Sequence, residues 1–375
     1  MSKKVIIGLS GGVDSAVAAY LLKKDGYDVH AIFMQNWDNA TNHDVLGNPY
    51  KDKDICEQEQ DYQDAVEVAR ILDIPIDRVD FINEYWDRVF SHFLSEYEKN
   101  RTPNPDILCN NEIKFKAFLD HAISLGADYI AMGHYAQKVV INGVNQLKRG
   151  FDQNKDQTYF LAQLTSDQLE KALFPIGHLD KKEVRKIALD LKLNVAEKKD
   201  STGICFIGER HFNDFLNNYL PAKKGPMKRL NGEIIGEHTG LMHYTIGQRK
   251  GLNIGGIKDI VGPWFVVGKS LSDVTLYVEP DGNHEALYSD EAEIEDVILR
   301  GDVKDGNYTA KFRYRQEDHD IYLEKIEDYL YRVTYPQGIK AVTPGQLCAI
   351  YQGELCLGGG FIKSVYKKGT LCPYA

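Results

Sequence analysis

Near the start of the chain, Gly8-Leu9-Ser10-Gly11-Gly12-Val13-Asp14-Ser15 combines the residue types that hold phosphate. Glycines let the backbone approach an anion closely, and the unpaired amides of a helix start then point at it. The hydroxyls of Ser10 and Ser15 add donors, and Asp14 can orient the loop or a metal. The usual triphosphate loop carries Gly-Lys-Ser/Thr; this one has no lysine. Two adjacent glycines alone would serve equally as a tight strand-to-helix turn.

Two cysteines stand in stretches of unusual composition. In Thr102-Pro103-Asn104-Pro105-Asp106-Ile107-Leu108-Cys109-Asn110-Asn111, the prolines impose a stiff, extended approach. Cys109 is expected at or just before a helix start, where the positive end of the dipole favours thiolate. Asp106 is close enough to share the site and move a proton. The second stretch is Asp200-Ser201-Thr202-Gly203-Ile204-Cys205-Phe206-Ile207-Gly208-Glu209-Arg210. Lys198, Lys199 and Arg210 favour thiolate there if they fold toward the sulfur. Taken singly, either cysteine reads as ordinary packing.

The elements that must position these residues follow from periodicity. Val5–Leu9 is a short apolar run, as expected of a parallel strand buried on both faces. Val13, Val17 and Leu21 recur at helical spacing up to Gly26, and Val29–Met34 is the next strand. A polar stretch from Trp37 to Asp61 holds seven acids against two lysines; its first part reads as a mobile loop that passes into a helix near Asp61. Ile113–Leu125 reads as a further helix and Tyr129–Met132 as a strand. Alternating strands and helices imply a parallel α/β sheet.

After about residue 210 the character changes. Residues 211–256 are rich in Gly, Pro and Asn and carry six basic against three acidic residues, a local excess of three. From about 290 the period becomes two, and in Ala310–Arg315 the alternation sets Phe312 and Tyr314 on one face with Lys311, Arg313 and Arg315 on the other. The expected organisation is α/β: an N-terminal parallel-sheet domain over 1–210, a small central domain over 211–285 and a C-terminal all-β barrel over 286–375.

The 375 residues carry a formal charge of −10. That balance argues against a generic DNA coat but leaves room for local basic sites. No stretch approaches the length of a spanning helix, and no signal core is visible, so no membrane role and a cytoplasmic location are expected. Six scattered cysteines without Cys-x-x-Cys spacing imply reduced thiols and no zinc site.

Five motifs occur in order: Ser-Gly-Gly-Val-Asp-Ser, Asn-Pro-Asp-Ile-Leu-Cys-Asn, Gly-His-Tyr-Ala, Lys-Asp-Gln-Thr-Tyr-Phe-Leu and Asp-Ser-Thr-Gly-Ile-Cys-Phe-Ile-Gly-Glu-Arg. The first resembles the pyrophosphate (PP) loop of the adenine-nucleotide alpha-hydrolase-like N-type ATP pyrophosphatases. Together, with Tyr244–Leu252 and Thr343–Gln346, they resemble the bacterial tRNA-specific 2-thiouridylase family over nearly the whole chain.

The resemblance implies that Gly8, Leu9, Ser10, Gly11, Gly12, Val13, Asp14 and Ser15 bind ATP, with Met34 and Gly133 lining the nucleotide and Mg²⁺ accompanying it. It makes Cys205 the persulfide carrier, Cys109 its partner and Asp106 a proton handler. Asn104, Pro105 and Asp106 would meet the target base, the anticodon wobble uridine. His134, Lys155, Asp156, Gln157, Arg313, Tyr314 and Gln346 would meet tRNA. A persulfide-donating protein is the other implied partner. Cys56, Cys348, Cys356 and Cys372 fall to packing or surface. The rival readings are a PP-loop amide ligase or amidotransferase on a small molecule, which needs no cysteine pair, and a non-catalytic RNA-binding protein.

Overall fold

Buried apolar runs build the first sheet. The computed structural model describes residues 2–48, 57–200, 203–204, 207, 210–255 and 262–373. Strands β1 (Lys4–Gly8), β2 (Asp28–Gln35), β3 (Ile76–Asp80) and β4 (Tyr129–Ala131) are parallel. A hairpin, β5 (Ala136–Ile141) and β6 (Val144–Arg149), leaves the sheet after β4, and β7 (Ala172–Leu173) returns to its edge. The order is β3-β2-β1-β4-β7, so the chain reverses direction across the sheet at β1. Open α/β sheets bind ligands at the carboxyl ends of strands beside such a switch point.

Helix α1 (Val13–Lys24) buries Val13, Ala16, Val17, Ala18, Ala19 and Leu22, a small-residue surface that lets it lie deep between neighbours. It packs against α2 (Glu57–Leu72) and α8 (Lys181–Asp190). Two long helices contain π-helical segments. One runs through α3 (Ile82–Tyr85), π-helical Trp86–Phe90 and α4 (Ser91–Glu98); the other through α5 (Pro105–Leu108), π-helical Cys109–Ala117 and α6 (Phe118–Ser124). Such segments frequently mark functional sites. The short α7 (Ser166–Glu170) and α9 (Phe212–Leu216) complete the helices.

The central domain is a four-stranded sheet, β8 (Gly225–Lys228), β9 (Ile234–His238), β10 (Phe265–Ser270) and β11 (Thr275–Glu279), in the order β10-β11-β8-β9. Part of its basic charge is internally paired: Lys228 with Asp273, Arg229 with Glu279 and Glu233. The C-terminal strands are β12 (Tyr288–Leu299), β13 (Gly306–Lys311), β14 (His319–Glu327), β15 (Leu330–Lys340), β16 (Leu347–Gln352) and β17 (Leu355–Lys367), with a short β18 (Thr370–Leu371) on β17. Antiparallel pairing of β12 with both β15 and β17 closes a six-stranded barrel. Strand β6 of the N-terminal half pairs with β17, joining hairpin and barrel in one sheet.

Four local expectations are corrected. The stretch from Trp37 to Asn48 is packed, with Trp37, Asn42 and Asp44 buried, because Trp37 enters an aromatic cluster with Tyr85, Phe90 and Phe215 through edge-on and tilted contacts. The following helix is already formed at Glu57, the first residue described after Asn48, four residues before Asp61. The cysteine-bearing helix starts at Pro105, eight residues before Ile113, since Asn104 caps it by accepting the Asp106 amide at 3.1 Å and Pro105 suits the first helical position. Finally, β13 ends at Lys311, and Phe312 and Tyr314 do not share a face. Arg315 is left-handed (φ 62°) and Gln316 accepts the Phe312 amide, so the chain turns: Phe312 packs on Tyr335 and Tyr314 on Phe160.

Candidate active site

The loop Gly8–Ser15 spans the end of β1 and the first turn of α1. Gly11 adopts φ +70°, and a Cβ there would stand 2.1 Å from the Asp61 carbonyl oxygen, so only glycine fits beneath α2. Ser15 Oγ accepts the Ser10 amide at 3.2 Å and donates to the Gly12 carbonyl at 3.1 Å, fixing the loop's curl. Met34, in β2, and Met132, after β4, flank Gly8; a Cβ on Gly8 would meet both side chains at 2.9 Å. Gly133 lies against the first turn of α1, where a Cβ would approach the Ser15 amide nitrogen to 2.7 Å. The structure thus gathers Gly8, Ser10, Ser15, Met34 and Gly133 at the carboxyl ends of β1, β2 and β4.

Charged side chains from distant segments surround this loop. Lys181, the first residue of α8, holds the Asp14 carboxylate at 2.7 and 2.9 Å. Tyr135 donates its hydroxyl to the same carboxylate at 2.7 Å. Asp200 receives Lys155, Lys181 and Arg185 at 2.6, 2.8 and 3.1 Å. Lys155 and Lys181 bonds outweigh burial and draw the Asp200 carboxyl down to about 2. On the other side, Lys198 donates to the Gly11 carbonyl and bridges Asp61 and Asp64 of α2. Burial raises the Asp61 carboxyl despite that ammonium. Lys198 is therefore committed to the glycine loop.

Cys109 is wholly buried at the start of the π-helical segment, one turn inside the helix. The dipole effect fades within the first turn, so the helix end favours its thiolate less than a capping position would. Cys109 belongs to the same buried cluster as Met34, Met132 and Ile107. Asn110 donates to the Phe160 carbonyl at 3.3 Å, and its own Oδ1 is buried without a hydrogen-bond partner among the described residues. Cys205 and Cys56 lie outside the described residues. The barrel approaches this helix at its entrance. Gln346 donates to the Thr102 carbonyl at 2.6 Å, and Thr102 donates its amide to the Pro344 carbonyl at 2.9 Å.

The other residues singled out in the sequence fall in several environments. His134 is buried between Phe115 and Phe174, and burial, with Lys114 nearby, holds its imidazole well below the usual value and hence neutral. Asp156 is buried and accepts from the Gly150 amide and the Thr158 hydroxyl, while Gln157 accepts the Tyr135 amide at 2.9 Å. Both side chains support the loop that carries Tyr135, while Lys155 turns its ammonium to Asp200 at 2.6 Å. Arg313 donates to the carbonyls of Ile246 and Ala341 and to the Thr343 hydroxyl, which ties barrel to central domain. Cys348 and Cys356 are buried and their thiols are pushed up by burial, as inert packing residues should be.

Comparison with known proteins places this arrangement. The model of the "tRNA methyl transferase HUP domain" matches residues 3–209, that of the "tRNA methyl transferase PRC-barrel domain" 213–280, and that of the "Aminomethyltransferase beta-barrel domain" 290–362. A protein of Acholeplasma laidlawii named tRNA-specific 2-thiouridylase is 63% identical over 375 residues, all of both chains. Proteins with the same name from Onion yellows phytoplasma (55%, covering 98% of each chain) and Staphylococcus carnosus (54%, covering 99% of this chain and 98% of that one) are also similar. The chain belongs to the tRNA-specific 2-thiouridylase family. The domain descriptions speak of methyl transfer, whereas these full-length thiouridylase relatives are named for thiolation.

Reading this thiouridylase from sequence missed Tyr135, Lys181, Arg185, Asp61 and Asp64. Lys181 reaches Asp14 across 167 positions and Lys198 reaches Asp61 across 137. One weak signal was present: Asp180 and Glu183 form a capping box, which fixes the start of α8 and thus the place of Lys181. Among the described residues no helix is long and apolar enough to cross a membrane.

Proposed function

We propose that the protein is an ATP-dependent tRNA-uridine 2-sulfurtransferase acting at C2 of the anticodon wobble uridine. One observation carries the reading. Cys109 and the two methionines that flank Gly8 belong to one continuous buried core, which supports a cysteine helix and a nucleotide loop acting in one site. An amide ligase needs the loop but not that cysteine, and a passive RNA binder needs neither. The fold and full-length relatives support the same reading.

The chemistry follows from the substrate. The C2 oxygen of uridine is a poor leaving group. Attack of that oxygen on the α-phosphorus of ATP, with loss of the N3 proton and departure of pyrophosphate, converts it to bound AMP. Sulfur carried as a persulfide on Cys205 then bonds to C2 and AMP leaves. In one route Cys109 attacks Cys205 Sγ first and releases hydrosulfide as the nucleophile. In the other, the persulfide sulfur attacks C2 and Cys109 then cleaves the adduct at Cys205. Both leave 2-thiouridine and a Cys109–Cys205 disulfide, which an external dithiol must reduce.

Around this chemistry, Gly8–Ser15 would hold the phosphates, Met34 and Gly133 the nucleoside, and Asn104–Asp106 the base, with Asp106 moving a proton. Lys155, part-exposed and bound to Asp200, would have to leave that carboxylate to meet tRNA, and Gln346 would act on tRNA through the segment it holds at Thr102. Among the described residues no group of three or more His, Cys, Asp or Glu side chains is arranged to hold a metal. The lone loop carboxylate, Asp14, suits Mg²⁺ bound mostly by phosphate and water, where it would neutralise phosphate charge. The sulfur would come from a persulfide-donating protein.

The test is mass analysis of tRNA nucleosides after incubation with ATP, Mg²⁺ and a persulfide donor. New 2-thiouridine, with one AMP and one pyrophosphate released per modification, is expected. Its absence with an active donor overturns the assignment, and Cys205→Ser should keep tRNA binding while thiolation is lost.

A further inference from the structure

The loop Gly8–Ser15 lacks the lysine with which triphosphate loops grip their ligand, yet its surroundings are rich in cations. Lys155, Lys181 and Arg185 converge on Asp200, and Lys181 also holds Asp14, the acid of the loop itself. Asp152 also stands here, accepting the Lys181 amide, so three cations face three carboxylates and an arriving phosphate must draw a cation from one of them. Lys181 is the member best placed to exchange. Its side chain is 12% exposed. The residue begins a ten-residue helix whose capping box holds the backbone at Asp180–Glu183, and its amide donates to Asp152 at 3.1 Å. Tyr135 bonds the same Asp14 oxygen, so that carboxylate keeps a partner if the ammonium turns away.

We infer that Lys181 supplies the phosphate-binding cation missing from the loop. It exchanges Asp14 for the β- and γ-phosphates of ATP and stabilises the departing pyrophosphate. The inference rests on ATP binding at Gly8–Ser15. In the step concerned, the uridine C2 oxygen bonds to the α-phosphorus and the bond from that phosphorus to the α,β-bridging oxygen breaks. Pyrophosphate leaves with the bridging oxygen and its electron pair, and the N3 proton is lost. Negative charge grows on the pyrophosphate, where a largely buried ammonium acts with little screening.

The experiment titrates the full-length protein calorimetrically with ATP, pyrophosphate and AMP. Lys181→Ala should weaken ATP and pyrophosphate about tenfold to a hundredfold, the worth of a charge-assisted hydrogen bond, and leave AMP within about twofold. Lys181→Arg should recover most of the loss. Equal weakening of all three ligands would mean that Lys181 only shapes the loop, and unchanged pyrophosphate affinity would also overturn the inference. Gly12→Glu separates this from failure of the ATP reading. A Cβ at Gly12 meets nothing nearer than Ser10 Oγ at 3.5 Å, so the backbone there tolerates a side chain, and a carboxylate on it repels phosphate. If Gly12→Glu abolishes ATP binding while Lys181→Ala leaves pyrophosphate unchanged, only the lysine inference falls. If neither substitution affects ATP, both fall.

Discussion

The Gln346 amide of the barrel donates to the Thr102 carbonyl at 2.6 Å, across 244 positions of sequence. Thr102 opens the segment that passes through Asn104 and Pro105 into the helix of Cys109. The turn before β16 therefore sets where that helix begins, and Gly345, at φ +88°, lies close enough that a Cβ would stand 3.0 Å from Thr102 backbone atoms.

Gln346→Ala should slow thiolation more than it weakens the fold. Loss of one partly buried hydrogen bond costs about 1 kcal/mol, whereas a misplaced reacting segment costs on the order of a hundredfold in rate. Single-turnover thiolation should fall at least about tenfold while ATP affinity is unchanged; an equal fall in ATP affinity would count against a role confined to this segment.

Gly11→Ala should damage loop and fold together. The left-handed backbone and the Asp61 carbonyl both exclude a Cβ. Destabilisation above about 1 kcal/mol is expected, with AMP release lost. Thermal melting and an AMP assay on the same preparation check both halves.

Among the thiols, position should outweigh reactivity scales. Cys348→Ala and Cys356→Ala remove buried sulfurs, and the latter also breaks contacts from Sγ to the Thr158 and Gly358 carbonyls at 3.8 and 4.0 Å. Each should lower stability by about 1–2 kcal/mol and leave kcat nearly unchanged. Cys109→Ala should abolish turnover. Because Cys109 is fully buried, its alkylation should be slow in the native protein and fast once the chain is unfolded; rapid labelling of the native protein would contradict that burial.

Lys269 gives a pH signature. Buried in the central domain, it donates only to the Asn100 carbonyl among the described residues, and burial lowers its ammonium to about 7. The folded value lies below the unfolded one, so between pH 7 and about 10.5 the unfolded chain binds more protons and this group's contribution to stability rises with pH. Lys269→Met should be more stable than the parent below pH 7, with the advantage shrinking across that window. Denaturant midpoints at pH 6, 8 and 9.5 measure it, and a constant difference would mean that Lys269 titrates normally.

Local chemistry was legible in the sequence and remote chemistry was not. Gly8–Ser15 declares itself because its glycines, hydroxyls and helix start are consecutive, and the period of two that sets in at about residue 290 announces β strands because a sheet face repeats every second residue. Phe312 and Tyr314 mimic that alternation, yet one left-handed residue, Arg315, ends it. The Trp37–Asn48 stretch looked loose because polar composition hid a buried pair, Asp44 with Arg210 at 2.8 Å, and the close fit of Gly47 against α9. Lys181 and Lys198 sit on solvent-coloured positions of their own segments and acquire a purpose only when α8 lies beside α1.

The pairing of β6 with β17 has a practical corollary for dissecting this enzyme. Leu147 and Lys148 of the nucleotide half match Cys356 and Leu355 of the barrel, so a cut before residue 286 would strip a strand of its hydrogen-bonding neighbour and lay bare a row of backbone donors and acceptors. Exposed edges of that kind recruit other chains. An isolated N-terminal fragment should therefore be prone to self-association, and mixing it with separately made barrel should restore solubility before it restores turnover.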